Sequence, residues 1–351
     1  MKKSKRASNS STRRARSPVQ PGEPASRLDG APEKPFHVRI TDERNEFWKV
    51  FNEHNFISIE KHDYLNAGSK VFTMGSCFAV EIRSALAAHG LDVYPKYKSL
   101  DLNAEKTRVG ALPARDNINH YHTFAILQEF EKFHGEWTQS PTDIWEKDDH
   151  IWDSGGKIYQ DPYRRSVFAR SPDDLLATIA SLDDVVADGI RAADVFLITL
   201  GLIEVWRKKD DGRFACEYPG YNLGGGHDET EFHLSTYPEN YENLRRTVSY
   251  IKKTNPDAHI VFTVSPVWLG RTFSGGDIFV ANAESKSQLR AICGQLARDE
   301  ADVLYFPSYE IALALHGEGH AADGRHVNAD TVANITGTYM FAHSNGALAL
   351  K

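Results

Sequence analysis

Gly75-Ser76-Cys77-Phe78-Ala79 sets a hydroxyl and a thiol side by side, directly after the short apolar, β-rich run 71–74. Phe78, Ile82 and Leu86 follow at helical spacing. A nucleophile here would stand where a strand ends and a helix begins. Open amides and the helix dipole favour negative charge at such a point. A serine nucleophile needs a base, and the base needs an orienting acid. Asp323-Gly324-Arg325-His326 offers both on one short loop. The chemistry expected is acyl transfer: Ser76 attacks, His326 takes its proton, and Asp323 fixes the imidazole. Serine is also a favoured helix N-cap, so the pentapeptide by itself fits either role. The Cys77 thiol, at a helix start, is open to a lowered pKa. Its side chain should point about 100° away from that of Ser76, so Cys77 is read as a small buried helix residue.

The elements that must position these groups follow from periodicity. Residues 71–74, 78–86 and 91–94 read as strand, helix and strand, with Gly90 ending the helix. The alternation recurs. Residues 173–193 read as a helix, 195–200 as an almost continuously apolar strand, 237–253 as a helix and 259–264 as a second buried strand. Residues 281–300 are a helix, 303–306 the last strand, and about 328–342 the final helix. This predicts an α/β fold: a doubly wound, mainly parallel sheet with helices on both faces. Asp323 and His326 fall between the last strand and the last helix, on the same carboxyl edge as Ser76. Two stretches break the rhythm. Residues 137–170 carry Trp137, Trp145, Trp152, Tyr159 and Tyr163, and residues 206–235 carry Gly212, Gly220 and Gly224-Gly225-Gly226. Both read as loop or hairpin insertions able to build a pocket.

The layout of a serine after the first strand and an Asp-x-x-His before the final helix resembles the SGNH/GDSL-type hydrolases. The GSCFA pentapeptide resembles the signature of the GSCFA family, itself similar to SGNH enzymes. Further segments are similar to that family in the same order: Thr263-Val264-Ser265-Pro266-Val267, Asn282-Ala283-Glu284-Ser285-Lys286-Ser287 and Tyr305-Phe306-Pro307-Ser308-Tyr309-Glu310-Ile311, over about residues 66–343. The resemblance implies a three-layer α/β sandwich. It also implies a serine-dependent ester hydrolase or O-acyltransferase using Ser76, His326 and Asp323, with no cofactor. A small-molecule or carbohydrate ester would be the substrate, and the aromatics of 137–170 would suit a sugar face. A thioesterase or peptidase with the same triad, or a non-catalytic binding protein on a hydrolase fold, are the alternatives. Ile203 stands where an SGNH enzyme has its oxyanion-hole asparagine. The amides of Ser76 or Cys77 and of Gly201, or the side chain of Asn119, are the candidates to replace it. Lys286 and Asn282, in the family-like segment, are candidate substrate-binding residues.

Composition sets the outer limits. The chain has 351 residues, net charge −7, and seven basic residues with no acid in the first sixteen. The body is therefore more acidic still, which argues against a nucleic-acid-binding fold. Residues 1–35, rich in Ser, Pro and Arg, read as a disordered basic leader ahead of one α/β domain over 36–351. No apolar run follows the basic residues, and none reaches the roughly 18 residues of a membrane span, so a cytoplasmic protein is expected. Three cysteines are too few for a disulfide framework. His120, His122, His316 and His320 show no metal-binding spacing, and each reads as a loop or surface residue.

Overall fold

The computed structural model describes residues 59–109, 118–149, 151–219, 228–314, 319–344 and 346–348. The basic leader, Gly224-Gly225-Gly226 and His316 lie outside them. In chain order, β1 (Lys70–Gly75), α1 (Cys77–Ala88) and β2 (Asp92–Tyr94) form the first parallel unit. Then come β3 (Thr107–Val109), α2 (Thr123–Phe133), β4 (Trp145–Asp148), β5 (Lys157–Gln160), β6 (Val167–Ala169) and α3 (Pro172–Ala192). The chain returns to the sheet at β7 (Val195–Leu200) and leaves it for β8 (Glu204–Lys208), β9 (Phe214–Ala215) and β10 (Thr230–Leu234). It closes with α4 (Tyr237–Thr254), β11 (His259–Val264), α5 (Ile278–Asp299), β12 (Val303–Phe306), α6 (Ser308–Ala314) and α7 (Ala329–His343).

The central sheet is fully parallel in the order β12-β11-β7-β1-β2. Its strands read as unbroken apolar runs because both faces are covered. Phe72, Phe196, Ile198, Ile260 and Phe262 turn to one face, where α3, α4 and α5 contribute Ile179, Leu182, Leu244, Val248, Leu289 and Ile292. Val71, Val195, Leu197 and Val261, one residue out of phase, turn to the other. There they meet Phe78, Ile82 and Leu86 of α1 and Ile335, Tyr339 and Met340 of α7. Each face of each strand thus removes an apolar set from water, and a slip of one residue would exchange the two sets.

The stretches that interrupt the βα rhythm are antiparallel. β3-β6-β5-β4 make one small sheet and β10-β8-β9 another. The strand order of the main sheet reverses between β1 and β7. In open α/β sheets the crevice for ligands opens beyond the carboxyl ends of the strands at such a point. Among the described residues no helix is long and apolar enough to cross a membrane.

Candidate active site

Gly75 and Gly201 end the two strands that flank this crevice. Gly75 has φ +138, and a Cβ on it would lie 2.0 Å from the Thr199 carbonyl oxygen, so only glycine fits. A Cβ on Gly201 would come within 2.7 Å of the Tyr121 carbonyl oxygen. The segment from Asn119 to Tyr121 clips the two strand ends together. His120 N donates to Gly75 O at 2.7 Å, and the amides of Gly201 and Leu202 both donate to Tyr121 O at 3.1 Å.

Ser76 then caps α1. Its backbone is extended (φ −65, ψ 178) and its hydroxyl accepts from Phe78 N at 3.3 Å. The expected contact between Ser76 and His326 is not what the structure holds. The charge of His326 acts on the thiol of Cys77, one residue on. The serine hydroxyl accepts the cap bond and keeps its own proton to donate, and Ser76 and Cys77 both line the same cavity. Burial alone would raise the Cys77 thiol. The hydrogen bond and charge of His326 outweigh it, with Arg325 and Arg165 adding to the effect, and the thiol is lowered.

Asp323 organises its own turn. Its Oδ1 accepts from the amides of Arg325 and His326, each at 3.0 Å, and His326 Nδ1 donates to its Oδ2 at 2.5 Å. Gly324, at φ +69, makes the tight bend between them. Arg325 Nη1 donates to His326 Nε2 at 2.8 Å, and Arg325 Nε donates to Trp268 O at 3.0 Å. The loop is therefore docked on the segment that follows β11. The Cys77 hydrogen bond, then the one to Asp323, raises His326 against the opposing effects of burial and Arg325. Asp323, hydrogen-bonded by the His326 ring and by two amides, sits well below the usual carboxylate range. His326 and Asp323 form an imidazole–carboxylate pair, and the charge of His326 acts on the Cys77 thiol.

Ser76, Cys77 and Arg325 open into a cavity of about 370 Å³. Cys77, Tyr121, Gly201, Ser265, Lys286 and Arg325 are on its lining, together with Trp206 on β8, Tyr218 beyond β9, and Trp268 and Phe273 beyond β11. Phe273 packs edge-on to Trp206 at 5.3 Å and against Tyr218 at 5.0 Å. Two buried carboxylates also line it. Glu204 accepts from Thr272 Oγ1 at 2.5 Å and Phe273 N at 2.7 Å. Glu217 lies 3.1 Å from Arg165 Nε, and burial pushes its carboxyl up to about 8.

The remaining sequence candidates divide. The Cys77 amide, first in the helix, has no backbone acceptor four residues back and lies beside the cavity. The Gly201 amide is committed to Tyr121 O, so it is not an open oxyanion donor. Asn119 is fully buried, is absent from the cavity lining, and spends its amide nitrogen on Tyr121 Oη at 3.2 Å. Asn282 accepts from Leu269 N at 3.1 Å and anchors the loop rather than facing the cavity. Lys286 does line it. His120 and His122 are buried rather than superficial. His120 pairs with Glu129 at 2.8 Å, and His122 Nδ1 caps α2 through Ala125 N at 3.1 Å. The aromatics of 137–170 do not form a cavity wall. Trp137 packs edge-on to Tyr163 at 5.0 Å, Trp145 is buried, and Trp152 lies under Arg170.

The stretch 206–235, read as a pocket-building insertion, supplies Trp206, Cys216, Glu217 and Tyr218 to the cavity wall, whereas Tyr121 and Phe273 join it through long-range packing that the sequence does not show. One local signal was legible in the pentapeptide: serine is among the best N-caps, and Ser76 caps α1 while both it and Cys77 line the crevice.

The profile of the GSCFA family matches residues 70–339. No curated protein matches the chain. Among solved structures, the chain is similar to a Streptococcus pneumonia protein provisionally described as a platelet activating factor, at 12% identity, covering 84% of this chain and 88% of that one, with a TM-score of 0.37. It is similar to a Clostridium thermocellum family 3 carbohydrate esterase at 11% identity, covering 80% and 97%, with a TM-score of 0.32. A peptidoglycan O-acetylesterase aligns at 12% identity, covering 78% and 89%, with a TM-score of 0.34.

Proposed function

The chain belongs to the GSCFA family, and from that premise we propose that it is an acyl-transfer enzyme, an ester hydrolase or O-acyltransferase, whose nucleophile is Cys77. The observation that supports this reading is the His326–Asp323 pair, whose imidazole lowers the Cys77 thiol at the wall of a cavity. Ser76 is assigned the role of helix cap.

The thiol gives its proton to His326 Nε2, and the Arg325 guanidinium that donated to that nitrogen is freed to face the new thiolate. Nδ1–H stays on the Asp323 carboxylate, which stabilises the imidazolium. The thiolate sulfur bonds to the carbonyl carbon of an ester, and the carbonyl π electrons move to oxygen. That oxyanion is met by the Cys77 amide at the N-terminus of α1. Collapse breaks the bond to the alcohol oxygen, which takes the proton from His326 and leaves an acyl thioester on Cys77. Water, or the hydroxyl of a second substrate, then gives its proton to His326 and its oxygen to the acyl carbon. Release of the sulfur returns the thiol.

The test uses p-nitrophenyl acetate as the ester. Acid quenching and peptide mapping should find acetyl on Cys77, labile to hydroxylamine as a thioester is. Cys77→Ala should lose turnover by about 1,000-fold or more, as expected for a nucleophile. Ser76→Ala should lose about 1 kcal/mol of stability as a lost cap while keeping most turnover. A dead Ser76→Ala beside a fully active Cys77→Ala would return the nucleophile to oxygen. A folded wild type that is neither acetylated nor active would leave a binding protein on a hydrolase fold.

A further inference from the structure

Lys286 is a buried cation with no acid beside it. It lies on the buried face of α5, is 1% exposed, and lines the same cavity as Cys77. Its Nζ donates to Gly201 O at 2.7 Å. Among the described residues that carbonyl is its only hydrogen-bond acceptor, and no carboxylate forms an ion pair with it. An ammonium taken out of water is costly unless a negative charge or a full set of acceptors compensates it. A neutral carbonyl supplies one acceptor of the three an ammonium can use.

The groups around the cavity show which anion is available. His326 and Arg325 reach Cys77 from the loop before α7, with Asp323 behind the imidazole. The charge of Arg165, between β5 and β6, acts on it as well, and Lys286 of α5 lines the same cavity and feels its charge. Tyr121 lies ahead of α2, and Cys216 lines the wall beyond β9. Of the two acids, Glu217 is occupied by Arg165 and Glu204 by Thr272 and the Phe273 amide. Among the described residues on this lining, Cys77 is the acid on which the charges of His326, Arg325 and Arg165 act together, and Lys286 lines the same cavity.

We propose that Lys286 is a positioning residue whose ammonium holds Cys77 as a thiolate, while its hydrogen bond fixes the Gly201 peptide at the end of β7. This rests on Cys77 as the reactive group of the site. Burial pushes Lys286 down to about 7, the charge of Cys77 acts to raise it and Arg325 to lower it, so the two groups stabilise each other's charged forms.

The experiment follows alkylation of Cys77 by iodoacetamide across pH on the full chain. Peptide mapping reads Cys77 apart from Cys216 and Cys293. Lys286→Gln removes the charge but keeps a donor toward Gly201 O, and Lys286→Arg keeps the charge. The alkylation midpoint should rise by about one pH unit or more in Lys286→Gln and stay near wild type in Lys286→Arg. An unchanged midpoint in folded Lys286→Gln overturns the proposal. The wild type provides a readout that needs no substitution. In nitrogen-15 lysine NMR, alkylating Cys77 should lower the pH at which Lys286 gives up its proton, and an unmoved titration overturns the proposal equally. Both measurements read the sulfur and the ammonium directly. Inactivity toward esters would therefore sink the acyl-transfer reading and leave this one standing or falling on its own data.

Discussion

At the scale of residues, one position separates a capping hydroxyl from a thiol. Both Ser76 and Cys77 sit at a strand–helix junction, and residue type alone ranks the serine as the expected nucleophile. Backbone geometry gives that serine a second role, since an extended Ser76 lets its hydroxyl accept from Phe78 N. The partner groups were legible: Asp-x-x-His on a tight turn leaves little choice but for the carboxylate to meet Nδ1. A prediction follows for pH. The thiol is lowered and the imidazole raised, so under the proposed reading the two limbs of the pH profile report this pair. Asp323 raises His326, so Asp323→Asn should move the alkaline limb of ester turnover to lower pH, with the acid limb less affected. The limbs are macroscopic values of the coupled pair. An alkaline limb that stays in place would show that Asp323 does not tune the base.

At the scale of elements, the five parallel strands and their helices were legible because each buried strand is a continuous apolar run and each helix carries a 3.6-residue stripe. The small antiparallel sheets were foreseen only as insertions. Strands of two to four residues such as β3 and β9 carry too few positions to show a period, and their pairing is non-local. What ties this insertion to the main sheet is equally non-local. Glu129 on α2 is buried and accepts from both Arg164 Nε and Nη2 at 2.6 Å, with His120 at 2.8 Å. Burial alone would raise its carboxyl, but Arg164 and His120 outweigh that and hold it well below the usual carboxylate range. With its folded value depressed, its contribution is full above the unfolded carboxylate pKa and fades as pH falls toward the folded one. Glu129→Ala leaves Arg164 buried with the partly exposed Asp183 as its remaining ion-pair partner and the charge of Asp161 acting on it. It should cost about 3–5 kcal/mol in denaturant titrations at neutral pH. Because His120 also holds Gly75 O through its amide, the variant should lose turnover under conditions where it is still folded. A loss below 1 kcal/mol would show that the cluster relaxes around the missing acid.

At the scale of the whole molecule, charge is distributed unevenly along the chain, with basic residues crowded into the first sixteen positions of a net acidic protein. Their composition predicts that removing residues 1–35 leaves the melting temperature and p-nitrophenyl acetate turnover as they are in the full chain. A drop in either would make that segment part of the working protein. The cavity spans two structural origins. Its chemical groups sit at the ends of β1 and β7 and on the loop before α7, all fixed by the parallel sheet. Trp206 and Tyr218 belong to the antiparallel excursion between β7 and α4, and Trp268 and Phe273 to the stretch before α5. Substitutions in that wall change what fits beside the sulfur without touching the strands that aim it. Under the proposed function, substrate preference is therefore the character free to drift quickly in a lineage built on this architecture, and the reaction itself is the one that changes slowly.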